Sequence, residues 1–386
     1  MKRLISGSAV LPILSFALAM LIGGLLIAFS DAKVLALRSE PWEMVKAGAT
    51  TAWNAYVALF EGAFYDPNLA RQGGGQGFYP ISETLVVAAP LILAGLSVAL
   101  AFRAGLFNIG AQGQFIFGAI GASYIGFTYE LPPILHITVA ALFGVFIAGI
   151  YGGIVGLLKA KTGAHEVIVT IMLNYVASYL LLWLLKTEAF LREGRNDPIA
   201  PDILESARLP KILGSEFRIS VAILISLLVA WLIAFLLNKT TLGFRFRAVG
   251  ANAAAARTAG MSVAFVTTSV MIVAGALAGL GGALNVLGGE YALTVGIAGS
   301  FGFDAITVAL LGRAKPLGVV LSAFLFASLR VGGQMMQAKT DTPLDLVLVI
   351  QALIILFIAA PALVKAIFRL KNINASSGMA AKGWNG

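Results

Sequence analysis

The chain has 386 residues, of which 59% are hydrophobic and 12% charged, with a net charge of +9, no cysteine and two histidines, His136 and His165. A soluble domain carries about 25% charged residues, so there is too little polar surface here to coat a water-soluble body of this size. The absence of cysteine excludes disulfides, thiolate metal sites and cysteine nucleophiles, and two histidines make a multi-histidine metal site improbable; no metal or cofactor is expected.

A bilayer core about 30 Å thick needs about 20 apolar residues per helix. Ten runs qualify: Val10–Phe29, Ile81–Ala101, Leu106–Phe127, Ile134–Leu158, Val167–Leu185, Ile219–Leu237, Ser262–Leu287, Tyr291–Gly312, Leu317–Met335 and Leu344–Leu363. The pattern predicts an all-α polytopic membrane bundle of about ten transmembrane helices. The first run is longer than the apolar stretch of a secretory signal and reads as an uncleaved helix, residues 1–30. Residues 31–80 read as an extracytoplasmic loop whose stretch Trp42–Phe64 has helical amphipathicity and lies at the interface. Residues 81–364 form the transmembrane core. Within it, Lys186–Arg218 carries six bases and six acids and reads as a folded or solvated cap. The eighth run carries Asp304 and four glycines, the pattern of a broken or re-entrant segment. The tail 365–386 is rich in Ser, Ala, Gly and Asn and reads as disordered.

Lys and Arg accumulate on the cytoplasmic side of membrane proteins. With the N-terminus inside and ten crossings, that side receives 15 of the 27 basic residues and one of the 18 acids, Glu166. Both termini are then cytoplasmic, and the net positive charge serves topology and lipid headgroups. No nucleic-acid partner is expected.

Polar side chains in hydrocarbon are costly unless paired or hydrated. The third run carries Asn108, Gln112 and Gln114; Asn174, Asn285, Asp304, Arg330 and Gln334 lie in later runs. Asn108 and Gln112 share one helical face, as do Arg330 and Gln334. One reading is interhelical hydrogen bonding. The other is a hydrated path, for which neutral amides suit an uncharged polar solute. Gly149-x3-Gly153, Gly152-x3-Gly156 and Gly275-x3-Gly279 read as helix-packing motifs. Breaks around Gly110–Gly113 and Gly296–Gly302 would open backbone groups to a central cavity.

The cytoplasmic loop 239–261 holds Lys239, Arg245, Arg247 and Arg257 and no acid. Asn252 is placed to cap a short helix through Ala255 to Ala259, and Gly260 to end it. Such a surface helix, flanked by Gly250, serves either as a connector lying on anionic lipid or as a knob seated in another protein.

Arg247 to Gly260 reads Arg-Ala-Val-Gly-Ala-Asn-Ala-Ala-Ala-Ala-Arg-Thr-Ala-Gly. This resembles the coupling loop of ABC importer permeases of the sugar, nucleoside and branched-chain amino acid branch. In that family the loop asparagine is often followed by proline; here Ala253 stands there. Pro90–Gln114, Gly163–Tyr175 and Gly302–Arg313 are similar to the nucleoside and simple-sugar permeases, and Asn108–Gln114 and Gly163–Tyr175 lean towards the nucleoside group. The resemblance implies a permease subunit without chemistry of its own. It also implies an ATP-binding cassette ATPase gripping Arg247, Gly250, Asn252, Ala255, Arg257 and Gly260, an extracytoplasmic solute-binding protein, and a second permease subunit, identical or similar. No Gly-x4-Gly-Lys-Ser/Thr loop occurs in the chain, which fits ATP binding elsewhere. A nucleoside is the favoured solute; a simple-sugar or branched-chain amino acid permease and an ion-coupled secondary transporter are the alternatives.

Overall fold

The computed structural model describes residues 10–368. The first nine residues and most of the tail expected at 365–386 lie outside the described residues. In chain order the elements are α1 (Val10–Ser30), α2 (Ala32–Ala36), α3 (Pro41–Ala63), α4 (Pro67–Ala70), α5 (Tyr79–Arg103), α6 (Ala111–Thr128), α7 (Pro133–Thr162), α8 (Glu166–Leu184) and β1 (Ile199–Asp202). They continue as α9 (Ala222–Lys239), α10 (Thr241–Ala251), α11 (Ala253–Thr258), α12 (Val263–Asn285), β2 (Ala292–Thr294), α13 (Phe301–Leu311), α14 (Pro316–Thr340), α15 (Leu344–Ala359) and α16 (Pro361–Ile367). Among the described residues seven helices are long and apolar enough to cross a bilayer, and α13 and α15 are shorter apolar helices. The chain is a polytopic helical membrane bundle.

The described residues divide into two compact units, one of residues 10–58 and 336–368, the other of Leu59–Met335. In the first, α1 is flanked by α3, where the Tyr56 phenol donates to the Met20 carbonyl and Gly48 lies against Ala28. On its other side the Ser15 hydroxyl donates to the Phe357 carbonyl of α15 at 3.1 Å.

In the second unit, α5 is buried on every side from Ala88 to Ala101, as the middle helix of a bundle must be. α7, α8 and α9 each bury one face and expose the other, through Leu142, Phe146, Ile168, Tyr179, Trp183, Leu228 and Trp231. Such faces are stable against hydrocarbon, where water-exposed apolar rows would not be. α6, α7 and α12 meet through glycine. A Cβ at Gly118 would overlap the backbone of Gly279, and one at Gly152 would overlap Met271 and Gly275. Small residues allow this approach, and the gain is backbone-to-backbone dispersion contact.

The Lys186–Arg218 region is a folded cap. β1 pairs antiparallel with β2, Ile199 opposite Thr294 and Asp202 opposite Ala292. Arg218 donates to Glu83 at 2.8 Å and to the Gly289 carbonyl at 3.1 Å, joining cap, α5 and the end of α12. His136 is fully buried and lies 3.0 Å from the Ile125 carbonyl and 2.8 Å from the Ser206 hydroxyl. The carbonyl requires a proton on Nε2, so in the neutral ring Nδ1 accepts from Ser206. This histidine is a structural bridge.

Two expected spans are not continuous helices. In the run Leu106–Phe127 the helix begins only at Ala111, after a non-helical turn through Asn108. The run Tyr291–Gly312 opens with Tyr291 at φ 58°, continues through β2 and becomes helical only at Phe301. α13 has 11 residues, about 16 Å at 1.5 Å each, roughly half of a hydrocarbon core. The glycines that marked these runs as breakable are where they break.

Candidate functional site

Breaking a helix inside a bundle strands backbone donors and acceptors, each of which must find a partner. Amide side chains supply them. Asn108 Oδ1 accepts from the Gly110 N–H at 3.0 Å, while its Nδ2 donates to Gln114 Oε1 at 2.9 Å and to the Ser97 hydroxyl at 3.2 Å. Asn174, on α8, accepts from the Gly113 N–H at 2.8 Å and donates to the Ile109 carbonyl at 2.9 Å. Gln112 spans the second break, accepting from the Gly302 N–H and donating to the Gly299 carbonyl, both at 2.8 Å. Asn285 donates to the Ile297 carbonyl at 3.1 Å. The starts of α6 and α13 are therefore bound to each other and to α8.

Beside this junction lies a cavity of about 400 Å³, lined by Ile109, Gln112, Ile171, Asn174, Tyr175, Ser178 and Phe303. Its volume lies within the ~300–1,000 Å³ typical of small-molecule sites. No charged side chain lines it. Gln112 and Asn174 each hold two backbone bonds, and each amide retains one donor and one acceptor site for a further partner.

The eight intramembrane polar residues thus separate. Gln112 and Asn174 line the cavity. Asn108 and Gln114 are buried behind it as a reciprocal amide pair, and Asn285 secures the descending segment. Asp304 and Arg330 form an ion pair at 3.8 Å. Ser300 donates to Asp304 at 2.6 Å, and the Arg330 guanidinium sits 4.8 Å above the Phe301 ring. This cluster clamps the first turn of α13 onto α14. Gln334 is exposed on α14, away from the cavity lining. Tyr175, Ser178 and Phe303 line the cavity but went unnoticed in the sequence, where an aromatic in a membrane helix reads as lipid-facing.

The basic loop folds as two helices, α10 and α11. Asn252 Oδ1 accepts from the Ala255 N–H at 2.9 Å, and Gly260 ends the turn at φ 81°. Arg247, Asn252, Ala255 and Arg257 are exposed, while Ala256 is buried. Gly250 rests on the backbone of Arg103 and Ala104 at the end of α5, closer than any Cβ would permit. Arg103 in turn donates to the Ala314 carbonyl at 2.9 Å. The loop is thereby seated on the segment that leads into Asn108.

Gln112→Leu would leave the buried Gly302 N–H unpaired and release the part-buried Gly299 carbonyl. At about 1–3 kcal/mol for each stranded group, the detergent-solubilised variant is expected to melt several degrees lower. An unchanged melting temperature would mean that the bridge contributes nothing.

A bundle of helices, two of them broken around a neutral cavity within membrane-spanning segments, is the build of a membrane transport protein. Residues 81–359 match the family described as the permease component of the branched-chain amino acid transport system, and the chain belongs to that family. It is 37% identical to the guanosine ABC transporter permease protein NupP of Bacillus subtilis (strain 168), covering 85% of this chain and 91% of that protein. It is 35% identical to the glucose ABC transporter permease protein TsgB13 of Haloferax volcanii, covering 72% of this chain and 76% of that protein. It is 33% identical to the nucleoside ABC transporter permease protein NupB of Lactococcus lactis subsp. cremoris, covering 78% of this chain and 85% of that protein. No solved structure gives a significant match. The chain is a multi-pass plasma-membrane permease component.

Proposed function

We propose that this chain forms the translocation path of an ATP-driven importer for nucleosides. The observation that carries this reading is the cavity lining: amides, a hydroxyl, a phenol and apolar side chains, without a charge. A nucleoside is neutral and presents both donors and acceptors. An amino acid would bring a carboxylate and an ammonium into a site with no counter-charge, at a steep desolvation cost. NupP and NupB, relatives over most of the chain, bear guanosine and nucleoside names. The glucose permease TsgB13 keeps a simple sugar as the second reading.

In this proposal the end bearing α10 and α11 faces the cytoplasm with both termini. A separate ATPase subunit grips α11 through Arg247, Asn252, Ala255 and Arg257, with Gly250 and Gly260 bounding the knob. The solute-binding protein docks at the opposite end, over the cap that includes β1, and a second permease chain completes the path. α3, with Trp42 and Trp53 exposed, runs antiparallel along α1 from Ala28 to Met20 and so stands beside that helix rather than flat at the outer interface. Closure of the ATPase pair shifts the bundle between outward-open and inward-open states, favouring whichever state the nucleotide-bound pair fits better.

The test is uptake by proteoliposomes holding this chain with its ATPase, binding protein and companion permease. ATP-dependent accumulation of guanosine is expected. Accumulation of glucose without guanosine would move the proposal to the second reading, and uptake driven by an ion gradient without the ATPase would overturn it.

A further inference from the structure

The amides of the cavity are already engaged with backbone; its two aromatic rings are not. Tyr175 is 58% and Phe303 50% exposed. Elsewhere rings pair, as Phe115 does with Phe301 at 5.3 Å and Phe117 with Tyr151 at 3.8 Å. Among the described residues Tyr175 and Phe303 stack with no other ring. Both are nevertheless held firmly at the backbone. Tyr175 follows Asn174, which binds Gly113 and Ile109. Phe303 follows Gly302, whose N–H is held by Gln112. Both rings line the one cavity from the two sides of the junction, carried by anchored backbone, Tyr175 standing where the cavity meets the exposed face of α8 that also bears Ile168 and Tyr179.

We propose that Tyr175 and Phe303 are the base-recognition surface of the path, so that the cavity favours solutes carrying a flat heteroaromatic base over sugars alone. This rests on the nucleoside reading above and names the part of the nucleoside that is read. Every base offers a π face, and a base–aromatic contact changes affinity by about tenfold or somewhat more. A free sugar has no such face. The spare amide valences of Gln112 and Asn174 remain for the polar edges and the ribose, and Ser178, whose hydroxyl already donates to the Asn174 carbonyl at 3.0 Å, can still accept. A lipid acyl chain is the competing occupant, and it would leave the spare valences of Gln112 and Asn174 and the Tyr175 hydroxyl without a partner from the occupant.

The experiment uses the complete transporter in proteoliposomes with tritiated guanosine, with co-purification of the subunits checking assembly. Tyr175→Leu and Phe303→Leu are each expected to lower guanosine uptake about tenfold, while Tyr175→Phe keeps it within about twofold, since the ring and not the hydroxyl does the stacking. Light-activated 8-azidoguanosine is expected to label Tyr175 or its neighbours on α8. Wild-type uptake by both leucine variants, equal loss with phenylalanine and leucine at position 175, or labelling confined to helices other than α8 and α13 would each overturn the assignment. If the unmodified transporter carries no nucleoside at all, the nucleoside reading itself falls; if it carries guanosine and the leucine variants do too, only the ring assignment falls.

Discussion

Replacing Ala255 with arginine is expected to abolish ATP-driven uptake while leaving the bundle folded in the membrane. Ala255 gives its N–H to the Asn252 cap, and its methyl group is exposed on α11. Exposed substitutions away from packed features change stability by about 0.5 kcal/mol or less. The same site is the centre of the knob proposed to enter the ATPase, where a long cation among Arg245, Arg247 and Arg257 removes the fit. Losing a central interface residue costs at least about 2 kcal/mol of association and often more, roughly thirtyfold or above in the association constant. Uptake together with the amount of ATPase co-purifying on the variant is the measurement. Normal uptake with Ala255→Arg would place the ATPase elsewhere. Ala256→Arg is a different case: Ala256 is 4% exposed, so that variant disturbs the seat of the knob itself and says nothing specific about docking.

What could be read from the sequence, and what could not, follows from the range of each interaction. The end signals of α11 are local: Asn252 caps a group three residues on, and Gly260 turns the chain at φ 81°. They were legible for that reason. α10 was not separated from it, because Thr241–Ala251 mixes Phe, Arg and Gly without a strong period, and the break at Asn252 is visible only once its φ of −161° is known. The breaks near Gly110 and Gly299 were legible as weaknesses, since glycine removes the Cβ and weakens helix propensity. Their consequences were not. Asn174 meets Gly113 across 61 residues and Gln112 meets Gly302 across 190, and no local pattern states which amide serves which break. The β1–β2 pair is too short to announce itself, and it is held by cap contacts such as the Ile203 N–H donating to the Tyr291 carbonyl at 2.8 Å. Tyr175 and Phe303 differ from lipid-facing aromatics only in that each follows a residue pinned to the junction.

Gly118→Leu is expected to remove folded protein altogether, and the reason separates true close approach from a mere abundance of glycine. A Cβ on Gly118 would lie closer than 3.0 Å to three backbone atoms of Gly279, and backbone cannot rotate away as a side chain can. α6 is buried along nearly its whole length, so relief requires α6 and α12 to part. Parting them would pull Gln112, on α6, off the break it satisfies. Overpacking by single methylenes already costs about 1–3 kcal/mol; an isobutyl group against backbone exceeds that. No monodisperse protein should be recovered in detergent. Gly152→Ala should be severe for the same reason, its Cβ meeting Gly275 Cα at 2.9 Å. Gly149, in the overlapping motif of the same helix, has its nearest neighbour at 3.5 Å, an ordinary contact, so Gly149→Ala should melt within about a degree of the parent, the added methyl being free of overlap. Both motifs look alike in sequence; only the one facing α12 at backbone distance is predicted to be intolerant. Equal tolerance of alanine at 149 and 152 would show that α7 and α12 do not meet as closely as the Gly152–Gly275 crossing requires.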